Sequence, residues 1–406
     1  MSKPSPAAPK GDAGSRYFWR DGAVAEAPAG VELRAGPVED AHAVAQTVRR
    51  LAEHALGFDE WLEPLDPAAL AAAAARTCLA QAAQAKDAAV VGALLARRLE
   101  GEVRGFGKKL GSLRKDKVAV LGHLATAAGQ RGLGVTPALL ATMEAALRAD
   151  GTQLALFASP DCLPTPPVAT ATVKWYRRAC EPAAVFRTDF AENVFPEFFE
   201  YDTILRADAI CKNAIPAALE SKHAEALQGW SDVDLQQEEQ AQWLLDFLQT
   251  HTTEAVAEMA YVPTSVAALR ADLGHPANHI YVRVVDDVVH DMVVLRLRDV
   301  RCHEGGSATP AAEAPPIAQV VYALFAKLTG TDRVEHVLLL AHHLLRVQVV
   351  YMASLFGVTE SDLAKSNFEE IMKNREFLYL VGSNSRTAAV VPATPASKLY
   401  PPVYFC

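Results

Sequence analysis

The sequence runs through nearly the same succession of helix-like and strand-like segments twice, and this repetition constrains the fold more than any other feature. After an initial strand, residues 16–190 read helix, helix, strand, strand, helix, strand, helix, strand. Residues 191–216 are aromatic and acidic, then irregular, and the pattern restarts at residue 217. Strands and helices in this order predict a mixed sheet flanked by helices. The repetition indicates an internal duplication, although the identity between the two runs is too weak to establish it.

The predicted fold class is therefore α/β, with an α+β-type mixed sheet in two tandem halves related by a pseudo-two-fold axis. We predict a disordered leader at residues 1–15, an N-terminal half at 16–190, a linker at 191–216 and a C-terminal half at 217–406.

Apolar spacing and turn residues place the predicted elements. In the first half we predict strands at residues 30–35, 90–99, 117–125, 153–158 and 184–190, and helices opening at residue 37 and at 66–79, 136–149 and 169–178. In the second half we predict helices at residues 232–251, 264–273, 333–345 and 361–373, and strands at 279–285, 288–297, 317–326, 347–352 and 377–381.

Composition and charge exclude several classes of protein. Of the 406 residues, 50% are hydrophobic, which is too apolar for a disordered chain. The formal net charge is −9 and no basic block occurs, so we expect no nucleic-acid partner. No run of eighteen apolar residues occurs, which predicts no transmembrane segment. The six dispersed cysteines form no CxxC pair, which favours reduced thiols. We expect a cytoplasmic monomer.

His342 and His343 are the most conspicuous candidates for a metal site. Adjacent residues on a helix point about 100° apart, so the two imidazoles are poor partners for one ion. The sequence analysis therefore predicts no metal site.

A glycine-rich run at residues 130–140 follows a predicted strand and opens a predicted helix. Successive backbone N–H groups and a helix N-terminus attract an anion, and small residues let it approach closely. From this run alone, a turn that merely caps the helix is an equal alternative. The run resembles the acyl-CoA pyrophosphate loop of the GNAT acyltransferase superfamily, with Thr136 in place of the usual small residue. That resemblance implies an acyl-CoA co-substrate, no prosthetic group, and these cofactor-binding residues: Arg131, Gly132, Leu133, Gly134, Val135, Thr136 and Pro137.

Four separate segments resemble the protein N-myristoyltransferase family of that superfamily, in the same order and with similar spacing. They are Tyr17-Phe18-Trp19, residues 118–124 with 131–140, residues 157–164, and Trp175-Tyr176 with Glu181-Pro182. With gaps, the likeness covers most of the chain and indicates a divergent member with two tandem GNAT-like halves. In the family, the aromatic motif folds over the acyl-CoA; its following Gln-Pro-Val is absent here.

The resemblance implies roles for further residues. The family's oxyanion hole uses backbone N–H groups of a bulged strand at an aromatic-Leu pair, which aligns with His123 and Leu124. Its C-terminal carboxylate removes a proton from the acceptor amine, which would make the α-carboxylate of Cys406 the base. Its acidic loop, which helps to receive the peptide, is reduced here to Asp59 and Glu60. The residues that would line the acceptor site are Asp59, Glu60, Phe157, Ala158, Ser159, Trp175 and Tyr176.

The base implied for Cys406 is chemically demanding. A free α-carboxyl has a pKa near ~3.5 and an α-amine a pKa near ~8. Transfer of a proton from the acceptor ammonium to the carboxylate is therefore uphill by roughly 6 kcal/mol. An enclosed site that favours neutral partners and holds them in contact would offset this cost. The apolar end Tyr404-Phe405-Cys406 can be buried, but without the resemblance a surface tail remains an alternative.

The implied function is transfer of a long-chain acyl group, myristoyl in the family, from acyl-CoA to the N-terminal glycine amine of peptides or proteins. Two alternatives stay open. One is a GNAT-type N-acyltransferase with another acyl chain or acceptor. The other is a non-catalytic relative that binds acyl-CoA or an acylated peptide, which His123 and the reduced acidic loop both favour.

Overall fold

The computed structural model of the protein describes residues 27–55, 61–62, 76–82, 89–105, 118–130, 132–152, 154–159, 171–188, 215, 217–253, 257–298, 301–302, 315–382 and 395–401. The strands are, in chain order, β1 (Val31–Pro37), β2 (Trp61–Leu62), β3 (Arg76–Ala82), β4 (Val90–Leu99), β5 (Gly101–Gly105), β6 (Val118–Thr126), β7 (Leu154–Ser159), β8 (Ala171–Ala179), β9 (Trp230–Asp232), β10 (Met259–Pro263), β11 (Asn278–Val285), β12 (Val288–Arg298), β13 (Arg301–Cys302), β14 (Ile317–Phe325), β15 (Val349–Ala353), β16 (Glu369–Gly382) and β17 (Leu399–Tyr400). The helices are α1 (Ala41–Ala55), α2 (Val135–Ala149), α3 (Pro182–Val185), α4 (Ala217–Glu220), α5 (His223–Ala226), α6 (Glu238–His251), α7 (Val266–Leu273), α8 (Thr331–Leu339) and α9 (Glu360–Lys365), with a π-helical turn at Leu340–Leu344 after α8.

Among the described residues, twelve strands form one mixed sheet in the order β1-β3-β4-β6-β7-β16-β8-β15-β14-β12-β11-β9. Read inward from its two edges, the sheet repeats itself. In both halves the first four strands are antiparallel, the fourth and fifth are parallel, and the fifth and sixth are antiparallel. The structure thus confirms a mixed α/β fold with an internal pseudo-two-fold duplication.

The two halves exchange their last strands at the centre of this sheet. β16, from the C-terminal half, lies between β7 and β8 of the N-terminal half. β8 in turn pairs with β15 of the C-terminal half. The pseudo-two-fold axis therefore passes between β8 and β16, and each half completes its sheet with a strand of the other.

Local signals explain several elements. The β11–β12 hairpin turns at Asp286 and Asp287, with φ angles of 51° and 60°, and aspartate tolerates this left-handed region better than most residues. Ser265 caps α7 by accepting a hydrogen bond from the Ala268 amide. Thr359 and Asp362 form a reciprocal capping box at the start of α9.

Four predicted elements are wrong in whole or in part. The predicted helix at 361–373 ends at Lys365, and residues 369–373 belong to β16. Residues 76–79 of the predicted alanine-rich helix belong to β3, which pairs with β1 and β4. The predicted helix at 169–178 is instead strand β8 over its described part, and the predicted strand at 184–190 begins inside the short helix α3. In β8 buried and less buried residues alternate only from Ala171 to Trp175, and the pattern breaks at Tyr176, which is buried beside Trp175. Pairing on both edges outweighs the local helix propensity of β3 and β8.

A small second sheet, β17-β10-β5, contains strands that the sequence patterns did not predict.

Beside this second sheet, a buried cluster joins the two halves. The Asp272 carboxylate accepts a hydrogen bond from the Tyr261 hydroxyl at 2.7 Å and lies 3.3 Å from the Arg97 guanidinium. Burial raises the pKa of Asp272 to about 6, although the hydrogen bond from Tyr261 and the charge of Arg97 both lower it. The cluster connects β4 of the first half to β10 and α7 of the second.

Within the described segments, no helix is long and apolar enough to cross a bilayer.

Replacement of Gly101 by alanine tests the packing between the halves. An added Cβ at Gly101 would overlap the ring of Tyr261, which is 3% exposed and tied to Asp272. Because the ring is rigid and enclosed, we expect Gly101→Ala to lower the free energy of unfolding by about 1–3 kcal/mol. Denaturant unfolding measures it. The matched control is Gly36→Ala in β1, where an added Cβ meets nothing within 4 Å. Equal stability of the two variants would contradict this packing.

Candidate functional site

The pairing of the parallel strands β6 and β7 ends before either strand does, and we call this end of the pair the β6–β7 opening. Their pairing runs from Val118 opposite Leu154 to Leu121 opposite Phe157. β6 then continues along β4 as far as Thr126, beyond its recorded pairing with β7. The carboxyl ends of adjacent parallel strands are where open α/β sheets characteristically bind ligands.

β6 is bulged at this opening. In the register with β4, Ala93 lies opposite Ala125 and Leu95 opposite Gly122. His123 and Leu124 therefore share the single partner position of Leu94, and His123 has a left-handed φ of 53°. A bulge withdraws its extra residue from the ladder and re-aims the local backbone groups. We call His123–Leu124 the β6 bulge.

His123 is exposed, and the surroundings of its imidazole affect its ionisation. His123 retains accessible surface, while protein atoms around the ring remove much of its hydration. This desolvation lowers the pKa of His123 below its ordinary value, so the ring is neutral at pH 7.

The start of α2 forms the second part of the site. Gly132 and Gly134 have φ angles of 77° and 87°, which favour glycine, and both are exposed. Gly134 is the N-cap and offers no side chain to the amides of the first turn. Val135 and Thr136 lie in the first turn of α2. Their amides have no intrahelical hydrogen-bond acceptor, because the residues four positions earlier precede the helix. The resulting surface, the glycine loop Gly132–Gly134 with the start of α2, suits an anion.

Packing fixes this loop beside the bulge. A Cβ at Gly92 of β4 would lie 2.9 Å from Cγ1 of Val135 and 3.0 Å from Cδ1 of Leu139, so the glycine allows α2 to pack closely on the sheet. The hydroxyls of Thr126 and Thr136 are 3.1 Å apart, which joins the end of β6 to the first turn of α2. His123 is three residues before Thr126, or about 10 Å along the strand.

The duplicate of this opening in the second half is filled. β14 and β15 are parallel only from Ile317 to Gln319, and β14 is bulged at Val321. All nine residues of β14 are buried. Tyr322, Phe356 and Tyr400 pack in series there, with ring centroids 5.3 and 5.8 Å apart. The counterpart helix α8 also carries Asp332 in its first turn, whereas α2 carries no acidic residue there.

The other residues predicted for the site fall into two groups. Phe157 is buried at the end of the β6–β7 pairing, and Ala158 and Ser159 follow it on β7. Trp175 and Tyr176 are buried in the main core at the sheet centre, at 7% and 5% exposure. The predicted residues that lie outside the described part of the chain are Tyr17, Phe18, Trp19, Asp59, Glu60, Arg131 and Cys406.

Sequence reasoning missed two features. Gly92 and Thr126 position the glycine loop. A glycine inside a predicted strand indicates that another part of the backbone packs closely there, so the sequence did contain a signal for Gly92. The predicted α-helix around His342 and His343 also differs from the structure. Their segment is a π-helical turn rather than an α-helix, and ligand atoms of Glu220, His342 and His343 all lie within 4.8 Å of one another.

Comparison with known proteins identifies the fold. No protein-family model matches the sequence, and no curated protein sequence matches it either. Crystal structures of Saccharomyces cerevisiae N-myristoyltransferase with bound myristoyl-CoA are similar to this chain at a TM-score of 0.61 and 12% identity, over 89% of this chain and 81% of the other. A structure of the same yeast enzyme with myristoyl-CoA and inhibitors gives a TM-score of 0.62 at 12% identity, over 89% and 82% of the two chains. The chain thus has the N-myristoyltransferase fold, as its sequence motifs indicated.

The state of His123 can be measured directly. Because desolvation lowers its pKa, we expect the imidazole to titrate below the ordinary value of about 6.5 in an NMR pH series of the folded protein. A His123→Gln variant, which lacks the signal, assigns it. The urea-unfolded protein supplies the reference value. A folded-state pKa at or above that reference would show that the ring is not enclosed as described.

Proposed function

We propose that the protein is an acyl-CoA-dependent N-acyltransferase that uses the β6–β7 opening as its active site. One observation carries the proposal: the β6 bulge and the glycine loop stand at the same end of one strand, joined through Thr126 and Thr136. A bulged strand offers backbone donors for a carbonyl oxygen, and a glycine-rich helix N-terminus offers donors for a phosphate. A thioester of coenzyme A carries both groups.

The glycine loop is the proposed seat of the pyrophosphate. The amides of Val135 and Thr136 and the positive end of α2 attract its charge, and no acidic residue of the first turn competes. The second half offers no equivalent, because Asp332 already occupies the first turn of α8. This asymmetry supports one acyl-CoA site, in the first half. The predicted contributions of Arg131 and of Tyr17-Phe18-Trp19 rest on the family resemblance.

The β6 bulge is the proposed oxyanion hole. Backbone N–H groups of His123 and Leu124 would stabilise the negative charge that develops on the thioester oxygen. Backbone donors do not depend on the identity of the side chain, so histidine in place of the family's aromatic residue is compatible with this role. A neutral His123 adds no charge to compete with the amides.

Apolar side chains at the rim fit a fatty acyl chain. Leu124 and Leu133 are 39% and 58% exposed, and they belong to the bulge and to the glycine loop. Exposed large apolar residues at a ligand site favour a ligand with apolar surface of its own. We infer that the acyl chain is long, with myristoyl as the first candidate.

The proposed reaction needs an acceptor amine and a base. The base takes one proton from the glycine ammonium, and the neutral amine then attacks the thioester carbonyl. The carbon–sulfur bond breaks as the amide forms, and the second proton lost by the amine converts the departing thiolate of coenzyme A to its thiol. From the family resemblance, the base is the α-carboxylate of Cys406, and Asp59, Glu60, Phe157, Ala158, Ser159, Trp175 and Tyr176 belong to the acceptor side.

Two variants with side chains of the same shape but different charge test whether the glycine loop binds the pyrophosphate. Aspartate and asparagine both tolerate the left-handed φ of 87° at Gly134, where an added Cβ meets only Pro28, at 3.9 Å. Two like charges 4 Å apart repel by about 4 kcal/mol at an effective dielectric constant of 20. We therefore expect Gly134→Asp to bind a non-hydrolysable acyl-CoA at least about tenfold more weakly than Gly134→Asn, measured by calorimetry. Equal affinities in two folded variants would remove the glycine loop from the site.

The reaction itself is tested by incubation with labelled acyl-CoA and an N-terminal-glycine peptide. Each buried methylene contributes about 0.8 kcal/mol, so we expect myristoyl-CoA to bind many-fold more tightly than acetyl-CoA and to yield acylated peptide. An otherwise identical peptide with an acetylated N-terminus is the control and should not react. Equal binding of the two thioesters would favour a transferase for short acyl chains. Binding without product in any pairing would favour a non-catalytic relative.

The same assay separates the base from the rest of the site. Cys406→Ser keeps an α-carboxylate in place and should retain most activity, whereas two appended residues displace it by about 7 Å. The extended protein should still bind acyl-CoA but turn over much more slowly. Normal turnover by the extended protein would exclude the carboxylate of Cys406 as the base.

A further inference from the structure

A cluster of metal-ligating side chains lies outside the proposed active site, where three segments of the chain meet. Glu220 ends α4, and His342 and His343 belong to the π-helical turn Leu340–Leu344. We propose that Glu220, His342 and His343, the Glu–His cluster, bind a divalent transition metal such as Zn²⁺. The proposal is independent of the acyl-transfer function.

The geometry of the cluster is close to that of a zinc site. Nε2 of His343 lies 3.2 Å from Oε2 of Glu220, and one ligand atom of each residue lies within 4.8 Å of the other two. Zinc bonds of about 2.0–2.1 Å in a tetrahedron place neighbouring ligand atoms roughly 3.4 Å apart. The His343–Glu220 pair already has this spacing, and a side-chain adjustment of about 1 Å brings in the third ligand. Two imidazoles and a carboxylate are a donor set that Zn²⁺ accepts, with a fourth position for water.

The π-helical turn explains why adjacent histidines can converge. A wider turn places successive residues at smaller angles than an α-helix does, and π turns occur frequently at functional sites. Leu340 and Ala341, at the start of the turn, are fully buried and hold it against the core. The two histidines that follow are only partly buried, so an ion could reach them.

Neighbouring groups orient the ligands. The ring of His223 stacks on His343 with centroids 4.2 Å apart and an angle of 12° between the rings. Nδ1 of His223 lies 2.6 Å from the backbone oxygen of Glu220, so one residue contacts both ligands. Glu181, at the end of β8, approaches Nδ1 of His342 to 3.6 Å and adds negative charge nearby. Such outer contacts fix ring orientation around metal sites.

A simple hydrogen-bonded pair accounts for only part of this arrangement. The His343–Glu220 contact satisfies those two side chains without a metal. It leaves Nδ1 of His342 buried and, among the described residues, without a hydrogen-bond partner. A metal ion would engage this third group.

Metal titration of the protein, stripped with EDTA and then freed of chelator, tests the site. We expect one equivalent of Co²⁺ to give the visible absorption of a tetrahedral site, and Zn²⁺ to displace it. His342→Ala, His343→Ala and Glu220→Gln should each weaken Co²⁺ binding at least about tenfold. The matched control is His42→Ala, which removes an exposed histidine of α1 that contacts Gln46. It should bind Co²⁺ as the unaltered protein does.

Thermal unfolding separates loss of the site from loss of the fold. In EDTA, the Glu220→Gln variant should unfold near the temperature of the unaltered protein, since amide and carboxylate have the same shape. Added Zn²⁺ should raise the unfolding temperature of the unaltered protein and of His42→Ala, but not of Glu220→Gln or His343→Ala. The absence of Co²⁺ binding by the unaltered protein would overturn the proposal. Equal affinity in His343→Ala would do the same, because the ion would then lie elsewhere.

Discussion

The exchange of β8 and β16 is the constraint on which the rest of the structure depends. β16 pairs with β7 through Phe377 to Gly382 and with β8 on its other edge. Neither half has a complete sheet without the other, because each contributes the strand that closes its neighbour. Hydrogen bonds across the sheet centre therefore resist separation of the halves, and the buried Asp272 cluster adds a second connection. This continuity keeps the β6–β7 opening at a fixed position relative to the second half.

Duplication of the fold created two copies of the opening, and side chains decided which one stayed accessible. In the second half Tyr322, Phe356 and Tyr400 fill the space, and β14 is buried along its whole length. In the first half the β6 bulge and the glycine loop face solvent. The same backbone topology thus supports a structural role in one half and the proposed chemistry in the other. The difference arises from side-chain volume and from one acidic residue at a helix N-terminus, not from the fold.

The proposed activity and the proposed metal site draw on different parts of the chain. The opening is built from β4, β6 and α2, all in the first half. The Glu–His cluster unites a segment that follows the predicted linker with the π-helical turn of the second half, and Glu181 brings the end of β8 beside it. A bound ion there would hold together α4 and the π-helical turn, which are far apart in the sequence. At 12% identity the yeast N-myristoyltransferase structures establish the fold of this chain.

The sequence by itself determined what short segments encode. It located the β11–β12 hairpin at two aspartates, the glycine loop before α2, the bulge-forming His123–Leu124 pair through a family resemblance, and the repeated order of elements. It failed at β3, which is preceded by an alanine-rich run, and at β8, whose alternation breaks at Tyr176, because pairing with distant strands makes both segments extended. It also failed at His343, whose partner Glu220 is 123 residues away in the chain. Local secondary-structure propensity depends on residues that are close together in the sequence. The exchange of strands, the filling of one opening and the meeting of Glu220 with His343 depend on contacts between distant residues, and only the tertiary structure decides those.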